Sequence, residues 1–562
     1  MDTQSPLSLP RSIEHCPALE LPITCSSWQK GTGAVGRLLT HLNGSRFMDA
    51  HLHTFVVSDM HLSEAQEVDP QRPLWMAYKR REFFIDDDFA RFLEYIQEQA
   101  DGPIELILNG DIFDFDSVTA LPDDRRHIDW LERVRGLGSE EWKSEFKMKV
   151  IIAHHPRWFE ALGDFIKNGH RAVFIIGNHD VELYWPSVQR LVCSALGVDA
   201  PLGLLEEGAR HPQEAAPHGP GERLYTDDPV VFCNWFYLSG DDTYVSHGHQ
   251  YDPNCVIHDP IDPLIEVHGE PRVRVPFGDL AARYMLNGMG YFNPHQSENY
   301  IMSTVAYVRF FFKYMLRTQP LLIWTWFWGA YATLWISLRT HWLQAMRDPL
   351  LVDDKVRSIA MRSRATPSMV RKLNAVHVPS ATNNPFRIAR ELWLDRAFFL
   401  LVALFLAWQV VLHINIAWPI SPLWVFVPLG LFMLPYVAYA SSVKPTVFEN
   451  PLLSEERAEL IHKITGMRRV VFGHTHQPKC EQVGSVTLYN GGFWSQAFAD
   501  PECTIRLGAQ TFVRIQPNPS GEGRTAELCE WKATAEKPCR CLCSDPSTPA
   551  VYANLEGALV DA

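Results

Sequence analysis

The sequence lacks three features that would point to common classes of protein. It has no excess of basic residues: the net charge is −14 at pH 7, which argues against a general nucleic-acid-binding protein. The 11 cysteines include no CxxC pairs repeated at zinc-finger spacing, so a reduced, intracellular compartment is expected. The first fifty residues contain no apolar core of the kind that marks a signal peptide. We therefore expect an intracellular protein without a nucleic-acid partner.

Both ends of the chain are poor in signals for ordered structure. Residues 1–44 predict a weakly ordered lead-in, and residues 536–562 predict a C-terminal tail. The tail contains the cluster "CRCLC" (Cys539, Cys541 and Cys543). Metal binding and lipid attachment are alternatives for these cysteines, but the composition around them favours a loose tail.

Charged residues are absent from three long apolar runs, at about 321–338, 397–414 and 423–440. A helix needs about 20 apolar residues to cross a bilayer, and the tryptophans in and beside these runs are typical of a membrane interface. The alternative is a set of buried helices in a large soluble core. Three uncharged runs so close together are rare in soluble proteins, so membrane helices are favoured.

What the sequence has, from Thr54 to Asp180, is an alternation of short apolar strands with helical patterns, typical of a layered α/β domain. Further strands follow, including a hairpin turning across Ser239–Asp242. At 562 residues the chain is expected to hold at least two structural units. The predicted first catalytic part covers residues 45–262. An insertion that carries the hydrophobic helices follows at 263–450, and the second catalytic part covers 451–535.

Polar, chemistry-bearing side chains follow five of the predicted strands. Ligands gather at the carboxyl ends of strands in open α/β sheets, so these side chains are expected to converge on one crevice. Each motif alone is weak, because a histidine after a strand usually caps a loop. The joint order makes accidental agreement improbable: "SDMHL" (Asp59, His61), "GDIFD" (Asp111, Asp114), "GNHD" (Asn178, His179, Asp180), "SHGHQYD" (His247, His249, Asp252) and "GHTHQP" (His474, His476).

With these five blocks the chain resembles the calcineurin-like metallophosphoesterase superfamily. The resemblance covers roughly Phe55–Asp252 and Arg468–Trp494, and it implies a β-sandwich flanked by helices. The chain is most similar to the UDP-2,3-diacylglucosamine pyrophosphatase-like branch, which cleaves a diphosphate bond in a lipid A precursor at the bacterial inner membrane. That branch carries an arginine at the position of His179 and an acid at that of His249.

The resemblance also implies the roles of individual residues. One metal would be held by Asp59, His61, Asp111 and His476, and the second by Asp111, Asn178, His247 and His474. Mixed imidazole and carboxylate ligands suit Mn, Fe, Zn or Co, and two such ions activate a water for in-line attack on phosphorus. His179 would face the substrate and stabilise or protonate the leaving oxygen, with Asp180 orienting it. Asp114 is assigned to a supporting or structural position, while His249 and Asp252 are open between support and loop structure.

The order of the predicted ligands constrains the membrane topology. His247 precedes the hydrophobic insertion and His474 follows it, so both must lie on one side of a bilayer and the complete crossings must be even in number. Residues 397–440 predict a transmembrane hairpin, and Ile301–Met315, which contains two basic residues, predicts an in-plane amphipathic helix. The stretch 339–396 holds 11 Lys or Arg against 5 acids, which favours the cytoplasmic side. It would bind anionic headgroups or serve as a solvated linker.

The sequence thus predicts a membrane-anchored, two-metal phosphoesterase at the cytoplasmic (inner) membrane, with its catalytic domain in the cytoplasm. Manganese is the favoured metal. The expected substrate is phosphorylated, either a small molecule or a lipid-linked group, and membrane lipids are expected partners. Alternatives are a phosphoprotein or nucleotide phosphatase with the helices as a mere anchor, and a membrane scaffold whose site has decayed.

Overall fold

A computed structural model of the chain describes residues 52–199, 223–291, 312–313, 322–343, 346, 351–442, 453–518, 523–533, 535 and 537–543. Three predicted segments lie largely or wholly outside the described residues: the lead-in 1–44, the in-plane helix Ile301–Met315 apart from residues 312–313, and the tail from 544 onward.

The described residues contain sixteen strands, most of them four to eight residues long. In chain order they are β1 (His53–Val57), β2 (Ile104–Asn109), β3 (Arg171–Ile175), β4 (Val230–Cys233), β5 (Phe236–Ser239), β6 (Thr243–Ser246), β7 (Leu264–Val267), β8 (Glu270–Val273), β9 (Arg469–Phe472), β10 (Lys479–Val483), β11 (Val486–Asn490), β12 (Ala497–Phe498), β13 (Arg506–Leu507), β14 (Gln510–Pro517), β15 (Arg524–Trp531) and β16 (Cys539–Cys543).

Fourteen α-helices are described, besides short 3₁₀ turns and one π-helical turn at Ala282–Leu286. They are α1 (Asp86–Gln99), α2 (Trp130–Arg135), α3 (Glu141–His154), α4 (Pro156–Lys167), α5 (Pro186–Leu196), α6 (Phe277–Ala281), α7 (Asn287–Met289), α8 (Leu322–Trp342), α9 (Val352–Arg362), α10 (Pro367–Asn374), α11 (Pro385–Glu391), α12 (Leu394–Ala417), α13 (Phe426–Ser442) and α14 (Glu455–Thr465).

Two large sheets form the framework. The first has seven strands in the order β16-β15-β14-β1-β2-β3-β4, and the second has five in the order β10-β11-β9-β6-β5. Strands β1 to β4 run parallel to one another, as do β6, β9 and β11. Parallel strands end at the same edge of a sheet, so the loops that follow them are brought together there.

Alternation along the strands shows how the layers stack. In β1, Val56 packs between the two sheets, whereas its neighbours Phe55 and Val57 face the core beneath helices such as α1 and α4. Successive strand residues point to opposite faces, so both faces of the first sheet are covered. The outer face of the second sheet is covered by α9, α10 and α14. The predicted fold is confirmed: mixed sheets packed face to face and flanked by helices.

The helices that follow the proposed first catalytic part pack against the domain or stand out from it. Helix α8 buries Ala330, Thr333 and Ser337, the first of them in a cluster with Phe277 of α6 and Ile388 of α11. Its opposite face exposes large aromatic side chains: Trp324, Phe327, Trp328, Tyr331 and Trp335. Helix α8 therefore docks on the domain by one side only.

Helices α12 and α13 form an antiparallel pair. The Tyr439 hydroxyl, near the end of α13, donates to Asp395 Oδ2 at the start of α12 at 2.6 Å, and its ring lies 5.0 Å from that of Phe399. Leu394–Ala417 and Pro422–Ser442 are the two segments within the described residues that are long and apolar enough to cross a membrane. Only 17% and 0% of their most apolar windows are buried against the protein, so neither is a helix of its core.

One expectation about the C-terminal region was wrong. The segment Cys539–Cys543, expected to lie in a loose tail, is strand β16 and pairs antiparallel with β15. The alternation of cysteine with Arg540 and Leu542 fits the two-residue period of a strand, and the unpaired edge of β15 supplies the backbone partners.

Candidate metal centre

The loops that follow the parallel strands bring the predicted ligands to one edge of the sandwich. Asp59 and His61 follow β1, Asp111 follows β2, Asn178 follows β3, His247 follows β6, and His474 and His476 follow β9. The two sheets contribute to a single site: His476 Nε2 lies 3.2 Å from Asp59 Oδ1, and His247 Nε2 lies 3.1 Å from Asp111 Oδ2.

The donor atoms form two adjoining groups. One comes from Asp59, His61 and His476 and the other from Asp111, His247 and His474; within each group the donor atoms all lie within 4.8 Å of one another. His247 Nε2 is also 4.0 Å from Asp59 Oδ1. Asp111 is common to both sides of the centre, because its carboxylate also lies within 4.8 Å of a ring nitrogen of His61.

Five of these residues hold a backbone conformation that side chains other than glycine rarely adopt. The φ angle is positive at Asp59 (56°), His61 (49°), Asp111 (52°), His474 (66°) and His476 (58°). Such residues cost about 1–3 kcal/mol each and persist only where the surroundings enforce them. Five of the eleven non-glycine residues with positive φ in the described chain therefore belong to the converging set, a concentration that is typical of a functional site.

Backbone hydrogen bonds fix these strained turns to one another. Asp59 N donates to Gly110 O at 3.1 Å, and His61 N donates to Asp111 O at 2.9 Å, so the turn after β1 is tied to that after β2. The Asp59 carboxylate accepts from His474 N at 3.2 Å, which links the last motif in the sequence to the first.

The donor set fits divalent metal ions. His61 Nε2 and His476 Nε2 face each other at 3.3 Å, the convergence expected of two ligands to one ion. His247 Nδ1 lies 2.8 Å from Asn109 O, so Nδ1 carries the proton and Nε2 is free to coordinate, as in many metal-bound histidines. The side-chain oxygen of Asn178 is buried and has no hydrogen-bond partner among the described residues.

A comparison with protein families agrees with this geometry. Residues 52–282 match the family model described as calcineurin-like phosphoesterase. The match supports the calcineurin-like phosphoesterase superfamily for this part of the chain. The family consists of metal-dependent phosphoric ester hydrolases, so the chain is an enzyme of that kind. No curated protein matches the sequence.

The matched range of the phosphoesterase domain ends before β9, which carries His474 and His476. The structure nevertheless places β9 beside β6, with Val471 paired to Val245, so the histidines after β9 lie next to His247 after β6. The candidate metal centre is therefore built from two parts of the chain that are distant in sequence.

His179 lies among carboxylates at the mouth of the phosphoesterase centre. Its Nδ1 is 3.5 Å from Asp114, 3.6 Å from Asp116 and 3.6 Å from Asp279. Burial alone would lower the pKa of His179, but Asp279, Asp111 and Asp114 outweigh it and hold the pKa well above its usual value. The surrounding carboxylates therefore favour the protonated imidazole, which is the form that can donate to an anionic oxygen.

The orienting role predicted for Asp180 was wrong. Its carboxylate accepts from the backbone N–H groups of Ile112 at 2.9 Å and Gly177 at 2.6 Å, so it joins the loops after β2 and β3. Burial and the nearby Asp111 raise the pKa of Asp180 to about 7. The carboxylates that face His179 are instead those of Asp114, Asp116 and Asp279.

Sequence reasoning missed Asp279 and Asp116. Asp279 lies on α6, within the stretch assigned to the insertion, and its Oδ1 accepts from Asn178 Nδ2 at 2.8 Å. This bond orients the Asn178 amide so that its oxygen points away from Asp279. Asp116 pairs with Arg283 at 2.5 Å. No motif marks Asp279, although the acidic repeat "DIFDFD" did offer a signal for Asp116.

Asp114, and the two residues left open in the sequence, Asp252 and His249, also lie at the centre. Asp114 accepts from Ser117 N at 2.9 Å and supports both His179 and His61. Asp252 Oδ2 lies 3.1 Å from His474 Nε2, the arrangement by which a carboxylate orients an imidazole. His249 is buried, and burial, with His247 and His474 nearby, holds its pKa well below the usual value, so its ring is neutral.

Proposed function

We propose that this protein is a membrane-anchored phosphoesterase with two divalent metal ions, acting on a lipid-linked or membrane-adjacent phosphate ester or diphosphate. The observation that carries the proposal is the pair of adjoining donor groups, Asp59–His61–His476 and Asp111–His247–His474, in a chain that also has two exposed apolar helices. The general resemblance to pyrophosphatases acting on a lipid A precursor supports a diphosphate substrate.

We assign the ligands in two sets that share Asp111. The first ion would be held by Asp59, His61, Asp111 and His476, and the second by Asp111, Asn178, His247 and His474. Manganese is the favoured metal, with Fe, Zn or Co as alternatives, because imidazole and carboxylate donors suit these ions. The neutral amide of Asn178 limits the negative charge around the second ion.

Two ions held by these residues would supply an activated water nucleophile and would neutralise charge on the phosphoryl oxygens. The chain's own groups do the remaining work. His179, protonated among its carboxylates, stands where it can donate to the leaving oxygen. Asp279 holds the Asn178 amide, and Asp252 holds His474. Asp180 ties two ligand-bearing loops together, which keeps their spacing fixed.

Two features support attachment to a membrane. The α12–α13 pair leaves its apolar surface uncovered by the rest of the described chain. A hairpin crosses the membrane twice, and this even number keeps His247 and His474 on the same side. The aromatic face of α8 suits an in-plane position at the headgroup level. Together with the basic stretch 339–396, these features favour the cytoplasmic face of the inner membrane as the location of the catalytic domain.

Hydrolysis is tested first with a simple aryl phosphodiester and added Mn²⁺. Asp111→Asn and His474→Ala should each lower the rate at least about a hundredfold, because each removes a metal ligand. His258→Ala, which alters an exposed histidine, is the matched control and should keep full activity. Full activity in both ligand variants would refute the assignment.

Membrane attachment is tested by a charge in the hairpin. Leu406→Arg places a cation near the centre of α12, at a cost of about 2.5–3.5 kcal/mol on insertion scales, and should move protein out of the washed membrane fraction. Leu460→Arg on α14 is matched in exposure, at 46% against 43%, and should not. Equal fractionation of both variants would count against the anchor.

The competing hypothesis is a phosphoprotein or nucleotide phosphatase whose apolar helices serve only to attach it to a membrane. Purified, lipid-depleted protein would be assayed in parallel against lipid diphosphates, cyclic nucleotides and a phosphopeptide. Preference for the lipid diphosphate supports the proposal, and preference for either of the others replaces it. A metal content near zero after gentle purification would instead point to a scaffold with a decayed site.

A further inference from the structure

A second group of metal-ligating side chains lies on the first sheet, outside the catalytic centre. Strands β15 and β16 place Cys529 directly opposite Cys541. The two sulfur atoms and a carboxylate oxygen of Glu527 all lie within 4.8 Å of one another. The phosphoesterase chemistry uses none of these residues.

A third thiol adjoins this group. Cys539 precedes Cys541 by two residues on β16, so both point to the same face of the strand. The Cys539 thiol is hydrogen-bonded to that of Cys529 and to the hydroxyl of Tyr95 on α1. A register shift separates the pairing of Cys541 from that of Cys543, which lies opposite Leu528, so Cys543 is set apart from the group.

Burial and charge around the group suit a bound cation. Cys529 is fully buried, Cys539 is half-buried and Cys541 is exposed, so the group is anchored in the core and open to solvent at its rim. Glu527 is held in place by Arg514, whose Nε donates to Glu527 Oε2 at 3.1 Å. An oriented carboxylate beside three thiols combines an oxygen donor with sulfur donors, and Zn²⁺ binds both kinds of ligand.

The spacing of the donors is close to that of a tetrahedral site. Zn–S bonds of about 2.3 Å set the sulfur atoms of one site about 3.8 Å apart. Donor atoms that already lie within 4.8 Å of one another therefore need shifts of about 1 Å, which side-chain rotation supplies. Binding would release the thiol protons.

We propose that Cys529, Cys541 and Glu527, with Cys539 beside them, form a structural site for Zn²⁺ that fastens strand β16 to β15. The site is independent of catalysis. It gives the "CRCLC" segment a physical role: two of its cysteines face a third from the neighbouring strand.

The test uses Co²⁺ as a probe on the full-length, metal-depleted protein in detergent. Cobalt bound by thiolates gives a sulfur-to-cobalt charge-transfer band, whereas cobalt bound by imidazole and carboxylate does not. We expect the band in the wild type, its displacement by Zn²⁺, and its persistence in His474→Ala. The last result separates this site from the catalytic one. Failure of the zinc-site proposal can therefore be distinguished from failure of the proposed phosphoesterase function.

Substitutions identify the ligands. Cys541→Ser alters an exposed residue and should leave the fold unchanged, as checked by circular dichroism, while weakening Co²⁺ binding at least about tenfold, the lower end of what loss of a supporting partner costs. Cys503→Ser, at a part-buried cysteine outside the group, is the control and should bind as the wild type. Absence of the band, unchanged affinity in Cys541→Ser, or loss of the band in Cys255→Ser, beside the catalytic centre, would each overturn the proposal.

Discussion

Replacing Asp279 by alanine should weaken metal binding on the Asn178 side of the centre. Asp279 is fully buried, and its carboxylate accepts the one described side-chain hydrogen bond of the Asn178 amide, at 2.8 Å. The alanine variant leaves that NH₂ group buried without its acceptor and frees the amide to turn. The proposed ligand atom, Asn178 Oδ1, then loses its fixed direction.

The magnitude follows from the cost of an unsatisfied buried donor, about 1–3 kcal/mol. If the whole of that cost reduces the free energy of metal binding, the apparent affinity for the metal falls by about 5- to 150-fold. Asp279→Asn retains an acceptor oxygen at the same place and loses only the charge assistance, about 1 kcal/mol. We therefore expect the asparagine variant to restore most of the affinity that alanine loses.

The assay is Mn²⁺ activation of phosphodiester hydrolysis by the metal-depleted enzyme. The Mn²⁺ concentration for half-maximal rate should rise in Asp279→Ala and lie between that variant and wild type in Asp279→Asn. Asp262→Ala is the control for general loss of stability, because Asp262 is equally buried but pairs with Lys355 at 2.9 Å, away from the ligands. An Asp279→Ala enzyme with the wild-type metal dependence would refute the positioning role.

Two further variants probe the framework. Gly177→Ala should abolish metal binding, because the added Cβ would lie 2.5 Å from the backbone nitrogen of Asp111. The metal content of this variant is compared with that of Gly102→Ala, in which nothing lies within 4 Å of the added Cβ. Equal metal content in the two variants would contradict the prediction. Glu105→Gln should destabilise the fold by about 3–5 kcal/mol at neutral pH, since it breaks the buried pair with Arg364. Burial would raise the pKa of the Glu105 carboxyl, but Arg364 and Arg171 outweigh it and lower the pKa below 4.5. Its contribution is therefore complete above about pH 4.5 and lost as the pH falls through the lowered value. Thermal unfolding should accordingly show that the variant loses less stability than the wild type when the pH is lowered. Equal losses of stability in the two proteins would contradict this.

The fold was predictable because its signals are local. Helix α1, Asp86–Gln99, begins with three acidic residues, as expected at a positive helix N-terminus. Strands β1, β2 and β3 are apolar runs that end in Asp59, Asp111 and Asn178, so the rule that ligands gather at strand ends located the centre. These features depend on neighbours in the sequence.

What the sequence did not reveal depends on contacts between distant segments. Asp279 lies on a short helix with no motif, and it reaches Asn178 only because α6 packs over the loop after β3. The orientation assigned to Asp180 went wrong for the same reason: a carboxylate beside a histidine in sequence faces backbone N–H groups in space. Strand β16 was missed because it has only five residues and pairs with β15, whose edge the sequence does not reveal.

The pairing of β9 with β6 has a consequence for biosynthesis. Val245 and Val471 are neighbours in the sheet, yet a ribosome adding about 5–20 residues per second needs roughly 10–45 s to travel from one to the other. During that interval α12 and α13 are synthesised, while the donor set still lacks His474 and His476. The enzyme therefore gains its full ligand set only after the apolar hairpin has been made.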